Sequence, residues 1–325
     1  MNDKIIFIGE KPVKSSPSLE LGRVFSRKGY NVSYLENLDL NNTFLFLKSI
    51  KGAKALIVVD YSFCLFRLRQ LFLASLLGVP VIKWWVGSDV FNLIHSYRFR
   101  SYYKYYNSLY NVAVAPHLVD ELKDLGISAT FIPSVVYDKV LPEDYNFVKN
   151  ILVYLPTDRK NFYGLDIIEP LIQKFPEIKF VVVADDSHYL SRYNNVISLG
   201  WINGLKKVWP NVGCLLRITK HDGLPRMIIS ALMRKKYVIY SWPLPGCWLA
   251  NNFESCSHYI KVFMNLSTPN NSGPSAVKEI YGDISPEERY LTLINSLYSK
   301  RFDFIKFVNN FKMMLLIYKG VRSYK

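Results

Sequence analysis

The sequence predicts an α/β protein built from two doubly wound parallel sheets. Three observations predict it. Short runs rich in Val, Ile and aromatic residues alternate with segments of helical periodicity, the order that right-handed strand–helix–strand crossovers require. The alternation breaks once, at the polar, proline-containing stretch SVVYDKVLPEDYNFVKN (134–150), and then resumes. A chain of 325 residues also exceeds one typical core; it suits two domains of about 150 residues each.

In the first half, KIIFIG (4–9) reads as a buried strand. SPSLELGRVFSRKG (16–29) reads as a helix, with Ser16 as N-cap, Pro17 in the first turn and Gly29 as stop. NVSYL (31–35), KALIVVD (54–60) and VPVIKWW (79–85) are strands, and CLFRLRQLFLASLLG is the helix before the last of them. NVAVAP (111–116) and ATFIP (129–133) close the series around the helix HLVDELKDLG. After the linker come ILVYLP (151–156), the helix GLDIIEPLIQKFP, and the strands KFVVVAD (179–185), NVISLG (195–200) and VGCLLRIT (212–219). HDGLPRMIISALM (221–233) is then a turn leading into a helix, KYVIYS (236–241) a further strand and FDFIKFVNNFKMMLLIY (302–318) a terminal helix. The expected domains are 1–145, 146–301 and a C-terminal helix in 302–325 packing back towards the first domain.

Composition narrows the function classes. Half the residues are hydrophobic and 15% aromatic, which excludes disorder as the default state. The net charge of +15 points to an anionic partner: nucleotide phosphates, an acidic membrane surface or nucleic acid. Cys64, Cys214, Cys247 and Cys256 are widely spaced and the five histidines are scattered, so neither a disulfide framework nor a metal set is expected, and no cofactor. The apolar run at the N-terminus is too short for a signal-peptide core. LFLASLLGVPVI (71–82) falls short of the ~18 residues that span a bilayer. The expectation is a cytoplasmic protein, at most peripheral on a membrane.

Several stretches can carry chemistry. Around Asp222 a strand delivers polar residues, Gly223 permits close backbone approach, and Pro225 opens a helix whose amides and positive dipole end face the turn. An ordinary crossover would look the same. Arg159 and Lys160, adjacent in TDRKNFYG after a strand, can neutralise a diphosphate or simply solvate a loop. Trp201 in LGWIN can stack on a base or lie half-buried. Asp185 and Asp186 look like a metal pair, but neighbours on a strand point apart, and a solvated loop is expected. HSYRFRSYYKYYNSLY (95–110) interleaves cations with aromatic rings and fits a membrane interface, a nucleic acid or a half-buried covering helix. No nucleic-acid motif accompanies it.

The order of these features resembles the second domain of GT-B glycosyltransferases, in particular family 4. A strand with a basic loop, a strand with an acidic turn, an LG-aromatic step and strand–HDGLP–helix follow in sequence. In the first domain GYNVSYL, WVGSDV (85–90) and VAVAP–HLVDELKDLG–SATFIP agree, so the resemblance covers about residues 4 to 245.

The resemblance implies two Rossmann-like domains facing a cleft and a retaining, metal-independent transfer of sugar from a nucleotide-diphosphate donor to a glycan or lipid-linked acceptor. Arg159 and Lys160 would meet the diphosphate, and Arg217, Lys220 and His221 would add to that mouth. The amides of Gly223 and Leu224, in the turn that Pro225 closes, would support phosphates or sugar, and Asp222 a sugar hydroxyl. Trp201 would take the base. Gly87, Ser88 and Asp89 would line the acceptor side, with His117 near the leaving phosphate; Asp222, His117 and Asp89 are thus the catalytic candidates.

Three positions depart from the pattern. Ser230 stands where the family has a second Glu for the ribose, GEKPVKSSPS replaces a glycine-rich turn, and Tyr163 replaces a basic residue before Gly164. A GT-B-like nucleotide-binding or scaffold protein without turnover is therefore the second expectation, and a basic nucleic-acid-binding protein the third.

Overall fold

The computed structural model describes residues 3–9, 16–35, 42–59, 65–95, 106–107, 109–135 and 147–299, with positions 308 and 311. Most of the cation–tyrosine stretch at 95–110, the turn at 10–15, the middle of the 134–150 linker and the 302–318 segment lie outside the described residues. Two compact units emerge: residues up to Val135 together with Ile284–Ser299, and residues 147–283.

The first unit holds β1 (Lys4–Ile8), α1 (Pro17–Arg27), β2 (Asn31–Leu35), α2 (Thr43–Ile50), β3 (Ala53–Val58), α3 (Leu65–Leu76), β4 (Val81–Trp85), α4 (Ser88–His95), β5 (Tyr110–Ala113), α5 (Pro116–Asp124) and β6 (Thr130–Phe131). Its six strands are all parallel in the order β2-β1-β3-β4-β5-β6. The helix start read from sequence is there: the Ser16 hydroxyl accepts from the Leu19 amide at 3.3 Å, ahead of Pro17. β1, β3 and β4 are buried along nearly their whole length, as strands covered on both faces must be.

The second unit runs β7 (Ile151–Tyr154), α6 (Leu165–Lys174), β8 (Phe180–Val183), β9 (Val196–Ser198), β10 (Cys214–Arg217), α7 (Arg226–Met233), β11 (Tyr237–Tyr240), β12 (Trp248–Leu249), α8 (Phe253–Asn265) and α9 (Gly273–Tyr281). Its sheet is again parallel, ordered β12-β11-β10-β7-β8-β9. One continuous core joins Ile151 and Val153, Phe180 and Val182, Leu216 and Ile239 to Ile168, Ile172, Ile260 and Phe263 from α6 and α8. The last described helix, α10 (Pro286–Ser299), packs on the first sheet: Tyr290 is fully buried edge-on to Trp84, with ring centroids 5.7 Å apart, and Arg289 donates to the Phe131 carbonyl.

Strand order positions the functional loops. Numbered within its own unit, the second sheet runs 6-5-4-1-2-3, so the winding direction reverses between β7 and β10. Chains leaving two such neighbours turn to opposite faces of the sheet and open a crevice at the carboxyl ends. In the first sheet the same reversal falls between β1 and β3.

Candidate functional site

The loops after β7 and β10 meet at the reversal in the second sheet. The first carries a turn of 3-10 helix, Thr157–Arg159, and ends at Gly164; the second runs from Ile218 to Pro225. The Lys220 amide donates to the Phe162 carbonyl at 3.0 Å, stitching the two together. A third loop, after β8, joins through the Thr157 amide on the Ala184 carbonyl (3.1 Å) and the Asp186 amide on the Thr157 hydroxyl (2.8 Å). Arg159, Lys160, Lys220, His221, Asp222, Gly223, Leu224 and Pro225 are all carried by the two stitched loops.

Their roles diverge. Arg159 is exposed, its guanidinium 5.9 Å from the Phe162 ring centroid. Lys160 spends its ammonium locally: it donates to the Ser187 hydroxyl at 2.8 Å and the Thr157 carbonyl at 3.1 Å, and pairs with Asp185 at 3.0 Å. An ammonium has three donors, and these contacts use them all. Lys160 thereby ties Thr157, Asp185 and Ser187 together along the rim.

Asp185 corrects the expectation of a solvated loop. It is fully buried and also accepts from the Ser187 hydroxyl and amide and from the Tyr189 amide. Burial by itself raises a carboxylate's pKa; the Ser187, Lys160 and Tyr189 bonds outweigh it here and lower that of Asp185. Asp186 takes the backbone amide of Trp201 at 2.6 Å, leaving the Trp201 indole 70% exposed beyond β9.

Asp222 sits at the centre. One carboxylate oxygen accepts from Arg217 Nε at 2.7 Å and the other from the Gly223 amide at 3.1 Å. Arg217, expected to face the mouth as a free cation, is buried, with its guanidinium carbon 4.9 Å from the Tyr154 ring centroid and 5.4 Å from that of Tyr163. Burial alone would lower its pKa, but the charge of Asp222 reverses the direction. Tyr240, next to Arg217 in the β10–β11 register, also interacts with Asp222; burial first and that carboxylate second raise its hydroxyl well above the ordinary tyrosine range. Burial and the neighbouring Tyr163 also raise the Tyr154 hydroxyl. The sequence reading does not single out Tyr154 or Tyr240. One signal for the cluster was available: an arginine closing the buried run Cys214–Arg217 needs a partner.

The remaining turn residues set the backbone. His221 is buried against Trp242, edge-on at 5.4 Å, and its carbonyl accepts from the Thr219 hydroxyl at 2.8 Å. The Thr219 amide reaches the Ser241 hydroxyl at 2.9 Å. Pro225 is the N-cap of α7, and no side chain caps that helix start, so its first amides face the turn. Ser230, a turn further in, is buried; its hydroxyl accepts from Arg234 at 2.5 Å, and Arg234 lies over the Trp209 ring at 5.7 Å.

Gly87, Ser88, Asp89 and His117 belong to the first unit, at the ends of β4 and β5. Gly87 adopts φ 124°, Ser88 is exposed at the start of α4, and His117 is half-buried in the first turn of α5. Asp89, one of the catalytic candidates, lies in the interior of this turn. It is fully buried, pairs with the equally buried Lys83 at 2.6 Å and accepts from the Val86, Gly87 and Val90 amides at 3.0 Å. These bonds fix the turn that presents Ser88, and the carboxylate itself faces the interior. Lys83, which the sequence reading passes over, is the buried cation inside VIKWW that this arrangement neutralises.

Among the described residues, no group of three or more His, Cys, Asp and Glu side chains is placed to hold a metal ion, and no helix is long and apolar enough to cross a membrane.

No protein-family model matches the chain, and no curated protein matches it in sequence. Solved structures do. HepE of Anabaena, in complex with UDP-glucose, superposes with a TM-score of 0.67 at 11% identity, over 90% of this chain and 99% of that one. A glycosyltransferase of Rickettsia africae gives 0.67 at 14% identity, over 92% and 100%. TarM of S. aureus, in complex with UDP, alpha-GlcNAc-glycerol and Fondaparinux, gives 0.59 at 14% identity, over 78% of this chain and 59% of that one. With two parallel six-stranded sheets, each wound with helices on both faces, the chain has the two-domain GT-B fold.

Proposed function

We propose that the chain is a family 4-like glycosyltransferase that moves a sugar from a nucleotide-diphosphate donor to a glycan or lipid-linked acceptor. One observation carries the reading: Asp222, the Gly223 amide, the uncapped start of α7 and Arg159 belong to the two loops stitched together at the β7/β10 reversal. A diphosphate leaving group gains charge as its bond to the anomeric carbon breaks. A helix start and a cation stabilise that charge without any protein nucleophile. In this reading Asp222 accepts a donor hydroxyl, Arg159 and Lys220 meet the diphosphate, Trp201 takes the base, and Ser88 and His117 serve the acceptor side. Transfer is retaining and metal-independent. That HepE was solved with UDP-glucose and TarM with UDP supports a uridine donor. The widely spaced cysteines support work in the cytoplasm, and the charge of +15 supports contact with an anionic membrane that presents the acceptor.

A second reading has its own observation. The Ser230 hydroxyl is engaged by Arg234, and Lys160 by Asp185, so two groups of the expected donor site are held within the protein, which supports a nucleotide-binding protein without turnover. Thermal unfolding with UDP, GDP, ADP and their sugars tests both. A ligand at a hundred times its Kd stabilises by about 2.7 kcal/mol. Stabilisation by a nucleotide sugar plus release of free nucleotide on adding acceptors supports transfer. Stabilisation with no release across a broad acceptor panel supports the second reading, and no stabilisation by any nucleotide overturns both.

A further inference from the structure

We infer that Arg217 is a positioning residue that acts through Asp222, held in place by a clamp of tyrosines, and that it makes no contact of its own with the donor. The inference rests on the reading of Asp222 as the acid of a nucleotide-sugar site. Four strand and loop positions converge to build it. Arg217 closes β10; Tyr154 closes β7, the neighbour on one side, and Tyr240 closes β11 on the other. Tyr163 comes from the loop after β7, its ring edge-on to Tyr154 with centroids 5.2 Å apart.

Each component is fixed independently. Tyr163 precedes Gly164, which packs against Ile218 next to Arg217 in sequence, and the Tyr163 amide bonds back to the Arg159 carbonyl at 3.0 Å. The guanidinium lies against both the Tyr154 and Tyr163 rings, so its planar fork is oriented by stacking as well as by its ion pair. Its Nε is directed at Asp222.

A buried guanidinium is tolerated only with its charge compensated, and a carboxylate bonded on one oxygen by Nε and on the other by the Gly223 amide has lost its rotational freedom. The turn thus presents Asp222 in one orientation before any ligand arrives, which is where preorganisation gains affinity. Arg217 is buried, so an arginine meeting the diphosphate directly would have to move its guanidinium out from between the two rings.

The two roles separate by ligand. Acting through Asp222, Arg217 affects recognition of the sugar and leaves the nucleotide alone; as a phosphate ligand it would affect both. The test measures affinities of the full chain for UDP and UDP-glucose in wild type, Arg217→Met, Arg217→Lys, Asp222→Asn and the Arg217→Met/Asp222→Asn double variant. Expected is a loss of about tenfold or more for UDP-glucose relative to UDP in each Met or Asn single variant, partial recovery in Arg217→Lys, and no further loss in the double variant. Equal losses for UDP and UDP-glucose in Arg217→Met, multiplying losses in the double variant, or no loss at all would overturn the inference.

A wild type that binds no nucleotide sugar defeats the donor-site reading itself. The pair is then read without ligand, from the Arg217 Nε–H signal in nitrogen-edited NMR. Slow exchange with water that becomes fast in Asp222→Asn supports a held pair, and fast exchange in wild type overturns it.

Discussion

A Cβ placed on Gly164 falls 2.5 Å from the Cγ2 of Ile218, so the loop after β7 touches the end of β10 at a separation that only glycine permits. The same residue adopts φ +69°, a conformation that L side chains rarely adopt. Gly164→Ala combines both penalties against a buried β-branched side chain, and a loss of about 2–4 kcal/mol is expected. Urea unfolding checks it: the midpoint falls while the slope stays at the wild-type value. Nucleotide binding weakens as well, because this contact sets the spacing of the two loops.

Arg159 and Lys160 are neighbours with opposite expected phenotypes. Arg159→Ala removes an exposed side chain and leaves stability within about 0.5 kcal/mol, while donor-dependent turnover is lost. Lys160→Met leaves the buried Asp185 without its cation, at a cost of about 2–4 kcal/mol. Asp185 has a lowered folded pKa, so its contribution is present above the unfolded value of 3.8 and lost as pH falls through the folded one. Acid unfolding in Lys160→Met therefore begins at higher pH than in wild type. Turnover and acid denaturation, measured on both variants, separate the two roles.

Most of the alternation was legible because apolar runs of parallel strands are continuous and helix starts are marked, as at Ser16-Pro17. The helix Thr43–Ile50 was not: TFLFLKSI is apolar on several sides, so it shows no clear period, although Asn42 caps it. The helix α10 was not legible either: its residues fall within the expected second domain, 146–301, whereas it packs on the first sheet. Its pattern marks an apolar stripe, and a stripe does not say which sheet it covers. The turn at Asp222 was legible as chemistry, since Gly223 and Pro225 mark a chain reversal into a helix. What sequence could not convey was the pairing. Arg217, Lys160 and Asp89 read as available charges, whereas each is neutralised by a partner five, twenty-five or six residues away.

Lys236 gives stability an alkaline signature. It is buried just before β11, and burial, with the Arg234 charge as a second cause, holds its ammonium pKa down to about 8. Between pH 8 and the ordinary lysine value of 10.5 the unfolded chain binds the proton that the folded chain has released. Stability then rises with pH. The rise is confined to about pH 8–9, because burial raises the thiols of Cys214, Cys247 and Cys256 from the ordinary 9.0, and the raised hydroxyls of Tyr154 and Tyr240 follow from 10.0; all of these act oppositely. Lys236→Met is expected to stabilise at pH 7 by on the order of 1 kcal/mol and to flatten the rise. Denaturant midpoints at pH 7, 8, 9 and 10 for both proteins measure it; an advantage of the variant over wild type that does not shrink between pH 8 and pH 10 contradicts the assignment.

Trp201 offers a large aromatic face at little structural cost. With 70% of its surface exposed, Trp201→Ala leaves the unfolding midpoint within about 0.5 kcal/mol. If the indole stacks on the donor base, affinity for UDP drops by roughly 1–3 kcal/mol. Fluorescence quenching of wild type by UDP, absent in the variant, reports the contact directly. Equal quenching in both places the base elsewhere.

Ser230→Glu tests the position where the resemblance implies an acid. Its hydroxyl already meets Arg234, and a glutamate four residues before an arginine on a helix is the favourable orientation of such a pair. The new carboxylate gains a cation in place of the hydroxyl it displaces, but the larger, charged side chain in this buried site still costs about 1–3 kcal/mol. Should this face of α7 meet the ribose, UDP affinity rises several-fold and the gain vanishes for a nucleotide lacking the ribose hydroxyls. Calorimetric titration of UDP and its dideoxy analogue into both proteins measures this difference. An unchanged affinity with an intact fold would mean that Arg234 keeps the position for itself, which favours the reading of a nucleotide-binding protein with reduced or absent transfer.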